Sequence, residues 1–364
     1  MIKRRALMGG MGAVLAAPMV RAQSVTVDLA EAFLAKHGLP GLTWAIRRPS
    51  GDVLTGAAGY ADPVSGEVMR PEHRMRIASI SKPITAAMIL TLEAEGSLSV
   101  AHRPLARDGI LGHFVPTHLD AAVQAMLDEI TIDHLLCHTA GGWDNSSFDP
   151  VLMFLGETTA DLIKLTLLTE DPVAAAGTQY AYSNFGYFLL GRVIEAVVGV
   201  DCTASVWAWL ADTAGATSFD RAGNTLADRL ENEVVYVSGP SGVGSGDPYA
   251  LNLSRSDSAM GYVVNAPDLL AILAGFDGFG AETVPMGIAA RMADPWTPGG
   301  AYGRGLNVSP NHPNRWHGGG LHGTTTLAMM QEGGELMCVL CNGRTATSPE
   351  AITTVIWDIY NSVS

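Results

Sequence analysis

Apolar positions along the chain change period twice. Near the N-terminus, "DLAEAFLAKHG" (28–38) spaces its apolar residues as a helix does and stops on Gly38. "GLTWAIRRPSGDVLTGAAGYAD" (41–62) alternates on either side of "PSGD", the pattern of a β-hairpin. A helix carrying "SISKPITAAMIL" (79–90) follows and closes near Gly96. The long middle returns repeatedly to helical spacing, around 131–138, 159–168, 185–199, 205–213 and 267–276, and holds a polar, glycine-rich loop, "VSGPSGVGSGDPY" (237–249). Strand-like runs come back at 301–309, 324–331 and 334–342, before a last helix at 348–363. Helices in the middle and strands toward both ends predict a sheet built from the two ends of the chain with an all-helical lobe inserted between them.

With 364 residues, 48% of them hydrophobic and 16% charged, the chain can bury a sizeable core. Its net charge of -14 argues against nucleic acid as a partner, because phosphate neutralisation needs clustered lysine and arginine. The first 22 residues read as an export signal: a basic "MIKRR", an apolar "ALMGGMGAVLAAPMV", and "VRA" before Gln23. The apolar part is short for a membrane helix. The expected location is therefore periplasmic or secreted, with no stable membrane span after cleavage; Arg4-Arg5 leaves the choice between the Sec and twin-arginine routes open. Cys338 and Cys341 lie three apart in a predicted strand, on opposite faces, and are not expected to pair.

Candidate chemistry enters at Ser79. Of four lysines, Lys3, Lys36, Lys82 and Lys164, only Lys82 has a serine three residues before it. On a helix these two positions share a face. A serine hydroxyl needs a base, and a lysine serves only if its pKa is lowered. Ser79 would also stand at a helix N-terminus, where N–H groups favour negative charge. Tyr182-Ser183-Asn184 precedes an apolar helix; a tyrosine near a lysine can be partly phenolate and move a proton, and Asn184 can bond both Lys82 and a substrate. "HGGG", His317 to Gly320, precedes a predicted strand, and its glycines allow close backbone approach to a ligand.

In this order the three stretches resemble the serine β-lactamase and penicillin-binding protein superfamily, and most nearly the group of class C β-lactamases, D-alanyl-D-alanine carboxypeptidases, D-amino-acid peptidases and family VIII carboxylesterases. "IASISKPITAA" looks like its Ser-x-x-Lys motif, "YSNFGYFLLG" like Tyr-x-Asn, and "HGGG" stands where the family has Lys/His-Thr/Ser-Gly. "TIDHLLCHTAGG" and "YGRGLNV" are similar to further family segments, so the resemblance runs from about residue 27 to the C-terminus. It implies an α/β (α+β) fold of the β-lactamase/transpeptidase type: an antiparallel sheet flanked by helices from both chain ends (about 25–78 and 295–364), with the helical lobe at about 79–294.

The resemblance implies Ser79 as acylated nucleophile, Lys82 and Tyr182 as general base and acid, and Asn184, His317 and Gly319 as orienting or substrate-binding residues. The backbone N–H groups of Ser79 and Gly320 would form the oxyanion hole. No metal or organic cofactor is implied. His138 and Thr139 are expected to be structural, and His322 lies close enough to line the pocket rim. The motif departs from the family at Gly318, where a hydroxyl that helps bind a substrate carboxylate is missing; Arg304 and Arg315 are the candidates to replace it. That departure favours small esters or amides as substrates. D-amino-acid peptides or weak β-lactam hydrolysis are the alternative, and a catalytically silent binding module of the same fold is the second.

Overall fold

The computed structural model describes residues 16–146, 148–239, 246–280, 283–296 and 300–363, with side chains from residue 24. Residues 1–15 of the expected leader lie outside them. In chain order the elements are α1 (Ala16–His37), β1 (Gly41–Arg47), β2 (Val53–Asp62), β3 (Glu67–Val68), β4 (Met75–Arg76), α2 (Ser81–Ala94), α3 (Ala121–Leu127), α4 (Ile132–Leu136), α5 (Pro150–Met153), α6 (Thr159–Thr169), α7 (Asn184–Val198), α8 (Cys202–Thr213), β5 (Asp220–Arg221), β6 (Tyr262–Val264), α9 (Ala266–Ala274), α10 (Ile288–Ala293), β7 (Asn307–Val308), β8 (Arg315–Leu321), β9 (Thr324–Met330), β10 (Leu336–Cys341) and α11 (Ser348–Ser362).

Both chain ends build one antiparallel sheet of seven strands, ordered β3-β2-β1-β10-β9-β8-β7, as the strand runs at the two ends predict. The "PSGD" turn closes the first hairpin, with Arg48 N–H donating to Asp52 O at 2.9 Å and Gly51 at φ +89°. Alternation then decides what each face covers. Leu42, Trp44 and Ile46 of β1 and Met337, Val339 and Cys341 of β10 pack under α1 and α11, against Phe33, Leu34, Ile352, Val355, Ile356 and Ile359. Each such aliphatic side chain, fully buried, contributes about 1.5–3 kcal/mol. Ala45, Cys338 and Leu340 point the other way, into the core shared with α2, α7 and α9. Cys338 and Cys341 thus stand on opposite faces, and both are unpaired and buried.

The helical middle forms largely where the periodicity places it. Ser183 caps α7 by accepting from Gly186 N–H, and Gly199 ends it at φ +81°. Two strand expectations change. The run 301–309 yields only Asn307–Val308, because Gly305, at φ +84°, turns the chain against Pro83 and Ala86 of α2. "HGGG" precedes β9, as expected, but is itself strand, lying inside β8. Among the described residues no single helix is long and apolar enough to cross a membrane; the bent pair α7 and α8 passes by composition, and α7 is a core helix.

Candidate active site

Ser79 occupies a 3-10 turn, Ala78–Ile80, directly ahead of α2. Two contacts fix that turn: Ile77 N–H donates to Tyr262 O at 3.0 Å, and Ile77 O accepts from Thr326 Oγ1 at 3.0 Å. Ala78, fully buried, takes φ +49°, a left-handed conformation that costs a non-glycine residue about 1 kcal/mol or more.

Lys82 lies one turn on, fully buried. Its Nζ is 3.2 Å from Ser79 Oγ, 2.7 Å from Asn184 Oδ1 and 2.9 Å from Ala259 O. Ala259 belongs to a π-helical turn, Asp257–Gly261, that Arg192 anchors through both carboxylate oxygens of Asp257, at 3.0 and 2.9 Å. Burial lowers Lys82 to about 7, against the opposing pull of Asp149. A neutral lysine has two N–H donors and one lone pair. Asn184 Oδ1 and Ala259 O are acceptors only, so they take the two donors, and the lone pair is left toward Ser79 Oγ.

Asn184 opens α7. Its backbone N–H donates to Asn145 Oδ1 at 2.8 Å, and its Nδ2 donates to Asp149 Oδ2 at 2.6 Å. The amide is thereby oriented with Oδ1 toward Lys82. Asp149 is the N-cap of α5, and burial raises its pKa. Tyr182 is hydrogen-bonded to Ser79, and its ring centre lies 4.9 Å from Lys82 Nζ. Burial pushes its hydroxyl above the usual tyrosine range despite that bond. The partial phenolate expected from the sequence is therefore disfavoured, and Tyr182 stands as a protonated hydroxyl.

His138 accepts from Ser183 N–H through Nδ1 at 3.1 Å, and its ring lies 4.3, 5.0 and 4.8 Å from those of Tyr182, Tyr187 and Tyr302. Burial, with the Lys82 charge second, holds it well below the ordinary histidine value. His317 is lowered to about 3 by the same two causes in the same order. Its Nδ1 is 2.7 Å from Gly318 O and its Nε2 is 3.2 Å from the Tyr302 hydroxyl, so the neutral ring donates from Nδ1 and accepts at Nε2. Tyr302 also lines a cavity of about 380 Å³ with Cys137, Tyr180, Trp296 and Asn307.

The third motif meets Ser79 along the edge of β8. Carbonyls of Asn314 and Trp316 face the β7 side, accepting from Ser309 N–H at 2.9 Å and Asn307 Nδ2 at 3.4 Å. Ladder groups alternate along a strand, so Gly318 and Gly320 also turn their N–H and C=O to that side. There β7 has ended, and the edge has no strand partner among the described residues. Gly319 presses on the serine turn: a Cβ there would overlap Thr326 Oγ1 and stand 2.6 Å from Ile77 O and 3.0 Å from Ala78 Cβ. The outward N–H of Gly320 is thus carried on the strand segment that abuts the Ser79 turn.

Ser79, Lys82, Tyr182 and Asn184 are therefore in one cluster, with Gly319 against the serine turn and His317 joined to the cluster through the tyrosine and histidine rings. Arg304 and Arg315 are engaged elsewhere: Arg304 pairs with Asp133 at 2.6 and 2.8 Å, and Arg315 donates to Asp277 O and Ala289 O at 2.9 and 3.2 Å. His322 sits in the β8–β9 turn with its ring against Gly246. No group of His, Cys, Asp and Glu that would hold a metal forms among the described residues. Sequence reasoning missed Asp149, Ala259 and Tyr302. "FDPVLMF" carries an Asp-Pro cap signal that marks Asp149 as a helix start, but nothing in it points to Asn184.

Residues 27–360 match the β-lactamase family. The chain belongs to that family. It is 31% identical over 192 residues to esterase EstB of Burkholderia gladioli, covering 50% of this chain and 47% of that one. It is 26% identical over 256 residues to penicillin-binding protein 4* of Bacillus subtilis, covering 62% and 53%. The matches thus span about half the length of these relatives. Among solved structures, a D-amino acid amidase from Ochrobactrum anthropi superposes with a TM-score of 0.73 at 19% identity, over 94% of this chain and 98% of the other. The fold is thus of the β-lactamase/transpeptidase type, and the family is one of serine hydrolases that includes esterases, D-aminopeptidases and penicillin-binding proteins.

Proposed function

We propose that the chain is an exported serine hydrolase that acylates Ser79, acting first on small esters. The observation that carries this reading is the surroundings of Lys82: two fixed carbonyl acceptors and Ser79 Oγ all lie within hydrogen-bond reach of Nζ, so in the neutral amine the carbonyls take both N–H groups and the lone pair is left for Ser79 Oγ. Lys82 takes the Ser79 proton as Oγ bonds the substrate carbonyl carbon. The carbonyl electron pair moves to oxygen, where the N–H groups of Ser79 and Gly320 receive it. As the bond to the leaving group breaks, the Tyr182 hydroxyl gives that group a proton and takes one from the Lys82 ammonium. Water, deprotonated by the same pair, then releases the acid and restores Ser79.

Substrate ranking rests on the third motif. His317 is neutral and Gly318 has no hydroxyl, so the pairing that would favour a β-lactam or D-alanyl carboxylate is weakened at both positions. A charge-assisted hydrogen bond contributes about 1.5–3 kcal/mol, ten- to a hundredfold in affinity. The test is kcat/KM for p-nitrophenyl butyrate, a D-alanyl-D-alanine peptide and nitrocefin. The ester is expected to be fastest; faster turnover of either of the others reverses the ranking. Export is tested by N-terminal sequencing of periplasmic protein, with Gln23 expected first.

A further inference from the structure

His138 grips the segment that carries Tyr182 at two points. Its carbonyl accepts from Ala181 N–H at 2.8 Å, and its Nδ1 accepts from Ser183 N–H at 3.1 Å. The residues on either side of Tyr182 are thus tied to a single residue, while Tyr182 O accepts from Asn145 N–H at 2.9 Å. The His138 ring also packs on the Tyr182 ring, with centres 4.3 Å apart. This double hold has a local cost. His138 is buried at φ +58°, in the left-handed region that L side chains rarely adopt. Because Nδ1 is an acceptor, the ring proton sits on Nε2, which is buried without a hydrogen-bond partner among the described residues. A residue present for packing alone needs neither the strained backbone nor the unpaired N–H. A charged ring would carry a second proton on Nδ1, facing the Ser183 N–H, so the grip requires the neutral form that burial enforces.

We propose that His138 is a positioning residue for proton transfer: through Ala181 and Ser183 it sets the place of the Tyr182 hydroxyl, which delivers the leaving-group proton. The proposal rests on the reading of Tyr182 as general acid. That hydroxyl is hydrogen-bonded to Ser79 and stands at the far end of a rigid ring, so a shift of the backbone at Tyr182 is carried to it. A misplacement of about 1 Å costs on the order of a hundredfold in rate. His138 therefore acts through Tyr182, and its own hydrogen bonds go to the backbone of the segment.

The test uses p-nitrophenyl, phenyl and ethyl butyrate, which share one acyl group and differ in how much the leaving oxygen needs a proton: p-nitrophenolate leaves without one, and ethoxide does not. Tyr182→Phe should therefore lower kcat/KM far more for the ethyl than for the p-nitrophenyl ester. His138→Gly accepts the left-handed backbone but has no Nδ1, and should show the same bias, at least tenfold. His138→Gln, whose oxygen lies one bond too far, should share that bias and replaces the glycine variant if that one does not fold. His138→Asn puts an amide oxygen where Nδ1 stands, tolerates the left-handed backbone, and should restore the wild-type pattern. An equal loss on all three esters in His138→Gly or His138→Gln, with the bias present in Tyr182→Phe, would make His138 merely structural and overturn the proposal. No bias in Tyr182→Phe would overturn the reading of Tyr182 as the acid, and the role of His138 falls with it.

Discussion

Asp149 holds Asn184 by its amide nitrogen, at 2.6 Å, and so turns the amide oxygen to Lys82, at 2.7 Å. One carboxylate thereby fixes an amide flip and adds a negative charge behind the lysine. The two effects separate by substitution. Asp149→Asn keeps an acceptor for Asn184 but removes the charge that raises Lys82. Lys82 then loses its proton more easily, so the acid limb of kcat/KM against pH moves to lower pH. Asp149→Ala removes the acceptor too, and kcat should fall roughly tenfold to a hundredfold at every pH, the scale of a misplaced catalytic group. His138 and His317 are both held well below neutrality, so neither titrates in this window. Identical profiles for wild type and Asp149→Asn would remove Asp149 from the account.

Lys82 also leaves a mark on stability. Its folded pKa, about 7, lies below its ordinary value of 10.5. Between these values the unfolded chain binds the extra proton, so this group makes the protein more stable as pH rises from 7 to 10.5, by up to about 1.4 kcal/mol per pH unit. Lys82→Met lacks the term. Its stability relative to wild type should therefore be most favourable near pH 7 and decline toward pH 10, as read by paired denaturant titrations. The lost bonds to Asn184 and Ala259 set a pH-independent offset. A difference that stays flat with pH would mean that Lys82 is not lowered.

Backbone approach at the third motif predicts two unlike glycines. Gly319→Ala drives a methyl group into Thr326 and the carbonyl of Ile77, behind the Ser79 turn. It should cost about 1–3 kcal/mol, the range of overpacking, and lower kcat at least tenfold. Gly318→Ala meets only open space and should change stability by less than about 0.5 kcal/mol. Equal Tm losses for the two would mean that the close approach of β8 to the serine turn is wrong.

How much of this was legible beforehand follows from period and range. Alternation at 41–62 and 334–342 specified both faces of the central strands, down to the opposite placement of Cys338 and Cys341. Helical spacing marked α11, which buries one stripe; α7, buried on every side from Asn184 to Ile194, was readable from its long apolar run closed by Gly199. The run 301–309 misled because its alternation is broken by Gly303, set against Met292 O, and Gly305, whose position answers to Pro83 and Ala86 far away in sequence. At the site, Ser79 and Lys82 were readable because their relation is local, one helical turn. Tyr182 and Asn184 were found by motif resemblance. Asp149 and Ala259 act across separations that no local pattern encodes: Ala259 lies 177 residues from Lys82.

The central claim is that Lys82 makes Ser79 a nucleophile, and intact mass spectrometry after exposure to a fluorophosphonate tests it most directly. Wild type should gain one phosphonyl group, mapped to the peptide holding Ser79, at a rate that rises with pH through about 7 as Lys82 becomes neutral. Ser79→Ala should gain none, and Lys82→Met should react at least a hundredfold more slowly, the lower range for loss of a general base. Labelling of Ser79→Ala at the wild-type rate, or no labelling of wild type at any pH, would contradict the account.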